Sequence, residues 1–436
     1  MILLLWQKIR YISVGESDEV QLFYYFVKSE SNAQVDPLIL WMTGGPGCSS
    51  LTALAFEFGP LHFEKVDNTS SLPRLILNPN SWTQMASFIF LDTPVGTGFS
   101  YTNNPDARKS DTMLACNEAH EFFRKFLFDH PEFISNPVYV GGDSFSGLIV
   151  PIVAELIAEG IEKGIEPPID LKGYILGNPV TIPTDNDYEV PYAHGVGLIS
   201  NELYEVCTHL NCEGNYQDID PRNVPCLDDM NTFNQASNDF YLLSNLEHGN
   251  FLEPLCTFYA PKPRNLISDG SLDEKFLELK RRQRFLASMC RSDGYKLAYS
   301  WTNNDIVREV LQVPKGSVGN WQRCNYFGVS LTTTVRDCVP YHANLSRKGY
   351  RSLIYSGDHD LIVPHIATQA WIKSLNYSIV DDWRQWLVEG QVAGYTRTYA
   401  NRMTFATVKG GGHTAPEYRP TECKAMVKRW LSHDPL

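Results

Sequence analysis

The sequence has little positive charge for its length. Lys and Arg number 37 against 50 Asp and Glu in 436 residues, which gives a formal net charge of −13. No run of five or more Lys or Arg occurs. Nucleic acids and anionic membranes are bound through clustered positive charge, so neither is an expected partner. The expected substrate is a small molecule or a peptide.

Long hydrophobic runs are also scarce. A membrane-spanning helix needs about 18 to 20 apolar residues, and we expect no stretch that approaches this length. The opening MILLLW is too short even for the core of a signal peptide. We therefore expect a soluble globular protein. Its 436 residues are enough for one large domain with an insertion, or for two medium domains, and its 43% hydrophobic content is enough for a sizeable core.

The ten cysteines include no Cys-x-x-Cys pair. Cys207 and Cys212 have no nearby histidines at zinc-finger spacing, so we predict neither a metal site nor a cofactor. Ten cysteines are nevertheless many for a reduced cytosolic enzyme, which favours an oxidising compartment. The glycosylation sequons at Asn68, Asn344 and Asn376 are compatible with secretion, although chance alone supplies about as many.

Short apolar runs alternate with helical patterns from residue 37 onward. This alternation is typical of a largely parallel sheet with helices on both faces. Each run ends in a glycine-rich or aspartate-bearing turn, and in such sheets the functional groups collect beyond the carboxyl ends of the strands. The predicted buried strands are 38–42, 88–91, 138–140, 174–176, 353–355 and 405–408.

The alternation lapses between about residues 181 and 293, where Asn, Asp, Pro and Cys are frequent. We interpret 181–293 as a cap inserted between two parts of one α/β core, 1–180 and 294–436. Within it, the polar segment 261–270 is followed by basic residues at 280–284. The region 261–284 is either a protease-sensitive processing loop or an ordinary long surface loop, and both interpretations stay open.

Residues 137–160 predict a strand, a sharp turn and an amphipathic helix. The turn GGDSFSG is similar to a nucleophile elbow, which is too tight for bulky side chains two residues before and after the serine. Gly142 and Ser146 meet this requirement around Ser144, although Ser146 replaces the stricter glycine. Because such motifs are common, an ordinary loop serine is the alternative until a base and a carboxylate are found.

A serine hydroxyl becomes a good nucleophile when a base, itself held by a carboxylate, lies beside it. In α/β-hydrolases these groups follow in the order Ser, Asp or Glu, His, each at the end of a later strand. The turn YSGDHD ends at Asp360 and the turn KGGGH ends at His413, which fits that order. Asp358 and His359 are rivals in the first turn, and Asp358 has the alternative of capping the turn. Three glycines before His413 allow it a close approach to a partner.

The segment PLILWMTGGPGCSS places Gly44, Gly45 and Gly47 at the end of a predicted buried strand. Their bare backbone N–H groups can point at a developing negative charge. Together with this segment, the motifs at 92–101, 142–147, 355–360 and 410–416 closely resemble the serine carboxypeptidase family. The resemblance runs from about residue 11 to the end of the chain.

This resemblance implies an α/β-hydrolase fold with a mostly parallel sheet and an inserted cap. It implies a catalytic triad of Ser144, Asp360 and His413, so Asp360 outranks Asp358. It also implies an oxyanion hole formed by the backbone N–H groups of Gly45 and Phe145.

The resemblance further implies that the protein enters the secretory pathway and is located in the vacuole or outside the cell. It also implies disulfide bonds, for which we guess the pairs Cys48–Cys324, Cys212–Cys226 and Cys256–Cys290. Family members begin with a signal peptide and a longer amino-terminal segment, and the first ten residues here do not match them. We therefore expect that the signal peptide is missing from this sequence. A homodimer stays open.

Family peptidases bind the free carboxylate of a peptide through an Asn where this chain has Thr43, a Glu where it has Asp143, and a Glu that matches Glu57. With Gly44, these positions form the predicted substrate-binding set. Thr43 has no carboxamide donor, and the shorter Asp143 withdraws its carboxyl group by about 1.5 Å. A hydrogen bond of roughly 2.9 Å does not survive that change.

Thr43 with Asp143 resembles the plant acyltransferase branch of the family. Its members move an acyl group, of hydroxycinnamoyl or benzoyl type, from a 1-O-glucose ester to an alcohol. The expected partners are therefore an acyl glucose ester and an alcohol acceptor. A carboxypeptidase acting on a peptide C-terminus is the alternative, and an inactive scaffold or binding protein is a remote third.

Overall fold

The computed structural model describes residues 6–64, 72–202, 204–205, 212, 216, 219–228, 247–253 and 291–436. The candidate processing loop at 261–284 and most of the predicted cap lie outside these residues. The cap boundaries at 181 and 293 therefore stay predictions. The α/β core is described on both sides of the insertion.

The described strands and α-helices follow the predicted alternation in chain order. The strands are β1 (Trp6–Val14), β2 (Val20–Val27), β3 (Leu38–Met42), β4 (Leu61–Phe63), β5 (Leu75–Leu77), β6 (Ser87–Leu91), β7 (Tyr101–Thr102), β8 (Lys109–Asp111), β9 (Pro137–Asp143), β10 (Asp170–Gly177), β11 (Ser330–Thr332), β12 (Arg351–Gly357), β13 (Ile379–Val388), β14 (Gln391–Tyr399) and β15 (Met403–Val408). The α-helices are α1 (Thr112–Asp129), α2 (Val150–Glu162), α3 (Glu189–Gly195), α4 (Tyr295–Thr302), α5 (Asp305–Val310), α6 (Val339–Arg347), α7 (His365–Ser374), α8 (Ala415–Tyr418) and α9 (Pro420–Leu431).

The main sheet contains eleven of the described strands, in the order β1-β2-β6-β3-β9-β10-β12-β15-β14-β13, with β7 paired to β2. The six central strands, from β6 to β15 in this order, run parallel to one another. The strands at both edges join in antiparallel fashion. The prediction of a largely parallel sheet is therefore confirmed, and the six parallel strands are the six that the apolar runs predicted.

Burial on both faces explains why these strands read as continuous apolar runs. Every residue of β3, β6 and β15 is buried. In β3, Leu40 packs in a core layer with Phe122 of α1, whereas Trp41 packs in a second layer with Trp430 of α9. A parallel sheet covered by helices on both sides leaves no face for polar alternation, so its strands are apolar throughout.

The carboxyl ends of the parallel strands lie at one edge of the sheet. β3 and β9 are neighbours, with Met42 opposite Gly142, so the segments that follow them begin side by side. β12 and β15 are likewise neighbours, with Gly357 opposite Val408. The glycine loop, the GGDSFSG turn and the two turns ending at residues 360 and 413 therefore leave the same edge.

The expectation that no stretch approaches membrane-spanning length is wrong for Ser144–Glu162. This segment has 19 residues and is apolar enough to cross a membrane by length and composition. It consists of the turn after β9 and helix α2, and 67% of its most apolar 18 residues are buried inside the protein. Its hydrophobic character is that of a core helix, because α2 packs against α1, α6 and the sheet.

Two of the three guessed disulfide bonds are present. Cys48 is bonded to Cys324, and Cys212 to Cys226. The third guess, Cys256–Cys290, lies outside the described residues. The described chain also contains three buried free thiols, at residues 116, 338 and 423.

The two disulfide bonds should differ in their contribution to stability, because they close loops of very different length. On the chain-entropy account, the pair separated by 14 residues contributes about 3 kcal/mol and the pair separated by 276 residues about 6 kcal/mol. We expect Cys48→Ser with Cys324→Ser to lower the urea midpoint of unfolding more than Cys212→Ser with Cys226→Ser. Equal losses in the two double variants would contradict this expectation.

Candidate active site

Ser144 begins the tight turn between β9 and α2. Its φ of 56° lies in the left-handed region, which a residue with a side chain rarely adopts, so the surrounding structure holds this conformation. Residues Ser144–Leu148 form a 3₁₀ turn that leads into α2. Ser144 itself is half-buried at the edge of the sheet.

The small residues on either side of Ser144 are required by close packing. A Cβ atom on Gly142 would lie 2.5 Å from the Met42 carbonyl oxygen and 2.8 Å from the Ser146 Cβ. A Cβ atom on Gly147 would lie 2.2 Å from the Val180 carbonyl oxygen. The sequence-based argument that the turn excludes bulky side chains is therefore confirmed at Gly142, whose neighbour in the turn, Ser146, is buried.

His413 forms hydrogen bonds with both of its predicted partners. Its Nε2 lies 2.7 Å from the Ser144 Oγ, and its Nδ1 lies 2.7 Å from the Asp360 Oδ2. Burial alone lowers the pKa of the imidazole. The charge of Asp360 and the hydrogen bond to it outweigh burial, so the pKa of His413 is raised above its ordinary value. This arrangement can accept a proton from Ser144 and stabilise the resulting imidazolium.

Asp360 is completely buried and is held by three donors besides His413. The backbone N–H groups of Ile362 and Val363 donate to its two carboxylate oxygens, at 2.8 and 3.2 Å. The side-chain amide of Asn178 donates to Oδ2 at 2.8 Å. Sequence reasoning missed Asn178. Its signal is its position directly after β10, which lies between β9 and β12 in the sheet.

Asp358, the rival carboxylate, has a different partner. Its Oδ1 accepts a hydrogen bond from the Gly410 N–H at 2.6 Å, which ties the turn after β12 to the turn after β15. The capping alternative for Asp358 is thus the one that the geometry supports. His359, the other rival, donates its backbone N–H to the Gly411 carbonyl at 2.8 Å.

A short segment of the predicted cap, residues 247–253, lies across both of these turns. We call it the strap. The carbonyl oxygen of Gly249 accepts the His413 backbone N–H at 2.6 Å, and that of His248 accepts the Leu361 N–H at 2.9 Å. A Cβ atom on Gly412 would lie 2.2 Å from the Gly249 oxygen, so the glycine there permits this close approach. Sequence reasoning did not identify the strap.

The glycine loop after β3 packs directly against the serine turn. A Cβ atom on Gly44 would lie 2.7 Å from the Ser144 Cβ and 2.8 Å from the Phe145 nitrogen. Gly45 has a φ of 121°, a backbone conformation that glycine adopts readily and residues with a side chain rarely adopt. The predicted oxyanion donors, the N–H groups of Gly45 and Phe145, therefore belong to two segments in contact.

Two further connections fix the glycine loop. Asp92, at the end of β6, accepts hydrogen bonds from the Ser49 hydroxyl and the Ser50 N–H, both at 2.8 Å. The disulfide bond from Cys48 ties the loop to Cys324. The loop is thus held by the sheet on one side and by a distant segment on the other.

Buried carboxyl groups surround the predicted substrate-binding positions. Burial raises the pKa of Asp143 to about 6, opposed by the charge of His413 and a hydrogen bond from the Gly44 N–H. Burial and the charge of Asp143 raise the pKa of Glu57 well above its ordinary value. Neither Glu57 oxygen nor the Thr43 hydroxyl has a hydrogen-bond partner among the described residues.

Arg323 is a second residue that sequence reasoning missed. Its guanidinium lies over the ring of Tyr295, 4.1 Å from the ring centroid. Its positive charge lowers the pKa values of Asp143 and Glu57, against the larger effect of burial. The available signal was its position beside Cys324, whose guessed bond to Cys48 leads to the glycine loop. Within the described stretches, no group of three or more His, Cys, Asp or Glu side chains is arranged to hold a metal ion.

Comparison with known proteins gives a consistent result. The profile of the serine carboxypeptidase family matches residues 5–433. The match begins within the first ten residues, so the prediction that this segment does not match the family is wrong from residue 5 onward. Strand β1 of this chain starts at Trp6, within that segment, and pairs with β2 in the main sheet.

Among proteins of Arabidopsis thaliana, serine carboxypeptidase-like 9 is 47% identical over 433 residues, covering 98% of this chain and 90% of that protein. Serine carboxypeptidase-like 11 is 46% identical over 429 residues, with the same coverage. The crystal structure of a prohormone-processing carboxypeptidase from Saccharomyces cerevisiae, Kex1(Δp), has a TM-score of 0.75 at 20% identity, covering 98% of this chain and 91% of that one. It shares the α/β-hydrolase fold. The chain belongs to the serine carboxypeptidase family.

Proposed function

We propose that this protein is a serine carboxypeptidase-like acyltransferase. It takes an acyl group of hydroxycinnamoyl or benzoyl type from a 1-O-glucose ester and passes it to an alcohol, through an ester of Ser144. The observation that carries the proposal is the pair Thr43 and Asp143 beside a serine that is hydrogen-bonded to His413 at 2.7 Å. No metal or cofactor takes part.

In the first half of the reaction, Ser144 attacks the donor ester. His413 accepts the hydroxyl proton at Nε2 as the new bond to the carbonyl carbon forms. The N–H groups of Gly45 and Phe145 stabilise the negative charge on the carbonyl oxygen. His413 then returns the proton to the departing glucose oxygen, and the acyl group stays on Ser144.

In the second half, the acceptor alcohol takes the place that glucose has left. His413 removes the proton from the alcohol, whose oxygen attacks the acyl carbon, and then returns a proton to the Ser144 Oγ. Asp360 holds the imidazole in place through Nδ1 and stabilises the imidazolium. A peptidase differs in its first leaving group and in the use of water as the second nucleophile, so the triad serves either reaction.

The preference for a sugar ester over a peptide follows from the charge around Thr43. A terminal carboxylate brings a negative charge toward the buried Asp143, and Thr43 offers no amide N–H to it. With the pKa of Asp143 at about 6, that repulsion grows as the pH rises through this value. A glucose ester is neutral and presents hydroxyl groups, which can donate to a carboxylate or accept from a carboxylic acid.

One observation favours the alternative, a serine-type carboxypeptidase. Glu57 is buried and its pKa is raised well above the ordinary value, which favours the neutral acid. A neutral carboxylic acid can donate a hydrogen bond to a peptide carboxylate. The remote third hypothesis, an inactive scaffold, is opposed by the connected Ser144, His413 and Asp360 side chains.

The proposal also includes a cellular location and a domain organisation. The disulfide bonds Cys48–Cys324 and Cys212–Cys226 support an oxidising compartment, which we take as the vacuole or the extracellular space. Residues 181–293 form a cap that shapes the acyl and acceptor pockets, with 261–284 as its candidate processing loop. A homodimer is compatible with this organisation.

The two carboxylates of the turn after β12 provide a matched test of the triad. We expect Asp360→Asn to lower the rate of Ser144 labelling by a fluorophosphonate by about four orders of magnitude, because the amide leaves His413 in the wrong tautomer. Asp358→Asn should leave the rate nearly unchanged, since the amide oxygen still accepts the Gly410 N–H. Comparable losses in both variants would exclude Asp360 as the orienting residue, and absence of labelling in the unmodified protein would favour the scaffold.

The pH dependence of labelling tests the role of His413. The base must be neutral to accept a proton, so the rate should rise with pH, with an inflection above the ordinary imidazole value of 6.5. Asp360→Asn removes the charge that raises this pKa, so the inflection should move to lower pH. An inflection unaffected by Asp360→Asn would show that another group controls the rate.

Two substitutions test the choice between acyltransferase and peptidase. Thr43→Asn with Asp143→Glu should create hydrolysis of blocked dipeptides, because each charge-assisted hydrogen bond regained is worth about 1.5 to 3 kcal/mol, or roughly tenfold or more in kcat/KM. Transfer from hydroxycinnamoyl and benzoyl glucose esters to a panel of alcohols should fall in the same variant. Thr43→Ser is the matched control, since it adds no amide and should gain no peptidase activity.

The unmodified protein should transfer the ester acyl groups and leave the dipeptides intact. Dipeptide hydrolysis without ester transfer would instead support the carboxypeptidase.

A further inference from the structure

The strap pairs with the backbone on both sides of Asp360. The Phe251 N–H donates a hydrogen bond to the carbonyl oxygen of His359, the residue before Asp360, at 3.2 Å. The carbonyl oxygen of His248 accepts the N–H of Leu361, the residue after it, at 2.9 Å. Since the strap also accepts the backbone N–H of the proposed base, it holds the two turns of the triad in one arrangement.

The strap is a compact unit because hydrogen bonds within its own backbone close it. The Glu247 N–H donates to the Glu253 carbonyl oxygen at 3.1 Å, and the Asn250 N–H donates to the Glu247 carbonyl oxygen at 2.9 Å. The Glu253 N–H in turn donates to the Asn250 carbonyl oxygen at 2.8 Å. Gly249, whose oxygen accepts the His413 N–H, lies between these bonded positions. We therefore expect a displacement of Glu253 to move Gly249 as well.

Arg291 connects the carboxyl end of the strap to helix α8. Its Nε and Nη2 donate to the Glu253 Oε1 at 3.1 and 3.0 Å, and its Nη1 donates to the Glu417 carbonyl oxygen at 3.1 Å. The guanidinium lies over the ring of Tyr418, 4.4 Å from the ring centroid. Because α8 begins two residues after His413, Arg291 joins the strap to the same segment of chain that carries the proposed base.

The contacts of Arg291 differ from those of an exposed ion pair. The side chains of Arg291 and Glu253 are 37% and 29% exposed. Those of Arg222 and Asp220, another ion pair in the predicted cap, are 90% and 47% exposed, and such surface pairs contribute little to stability. A planar guanidinium that donates to two separate acceptors fixes their relative position, which the single ammonium of a lysine does not reproduce.

We propose that Arg291 is a positioning residue for the triad. Through Glu253 and the strap, it holds the backbone of His413 where the imidazole Nε2 lies 2.7 Å from the Ser144 Oγ. A shift of about 1 Å lengthens this distance beyond that of a hydrogen bond, and misplacements of that size can slow a reaction by about a hundredfold. The inference rests on the proposed role of His413 as the base.

Labelling of Ser144 by a fluorophosphonate tests this role in the intact protein. Measured against reagent concentration, labelling gives a limiting rate constant and a half-saturating concentration. We expect Arg291→Met, which keeps an apolar side chain over Tyr418, to lower the limiting rate constant about tenfold and to leave the half-saturating concentration unchanged. Arg291→Lys should recover part of the loss, since its ammonium reaches one of the two acceptors. Arg222→Met is the matched control and should label at the full rate.

Glu253 tests whether Arg291 acts through the strap. Glu253→Ala should lower the limiting rate constant as Arg291→Met does, and the double variant should be no slower than the slower single variant, because both changes remove the same connection. Glu253→Gln preserves the size of the side chain and one acceptor oxygen. It should show a smaller loss of rate with an unchanged urea midpoint of unfolding, which keeps the test available should Arg291→Met fail to fold.

Full limiting rates in Arg291→Met and Glu253→Ala would overturn the proposal, and so would losses that multiply in the double variant. A higher half-saturating concentration at an unchanged limiting rate would also overturn it, because the residue would then act on reagent binding. Absence of labelling in the unmodified protein would instead count against His413 as the base.

Discussion

The hydrogen bonds of His413 are the interaction on which the rest of the site depends. They join Ser144 and Asp360 to the imidazole from positions 269 and 53 residues away along the chain. Such distant residues meet because β9, β12 and β15 are parallel and end at the same edge of the sheet. The helices on both faces, the buried strands and the left-handed turn at Ser144 keep these three ends in register. The site is therefore a property of the whole core.

Around that site, the protein keeps carboxyl groups out of water. An ionised carboxylate is costly to bury, and Asp143 and Glu57 respond by raised pKa values. Arg323 opposes this effect from the segment that the Cys48–Cys324 bond attaches to the glycine loop. The disulfide bond that anchors the glycine loop thus also connects it to the segment that carries Arg323.

The sequence predicted the features that leave a local pattern. Six buried strands appear as apolar runs, and the turn at Ser144 appears as small residues around a serine between a strand and a helix. Asn178, Arg323 and the strap left no such local pattern, because each acts through long-range contacts that only the folded chain creates. Two expectations were wrong for physical reasons: Ser144–Glu162 is apolar because it is a core helix, and residues 6–10 are an edge strand of the sheet. The role of the cap and the choice of substrate stay predictions.

The bond between Cys48 and Cys324 bears on when, during synthesis, the active site can assemble. During synthesis, Cys48 emerges long before its partner, and Asp360 and His413 emerge later still. A growing chain therefore carries Ser144 without a base and with its glycine loop untethered. The three side chains of the site can meet only after the last strand of the sheet has been translated, because His413 follows that strand.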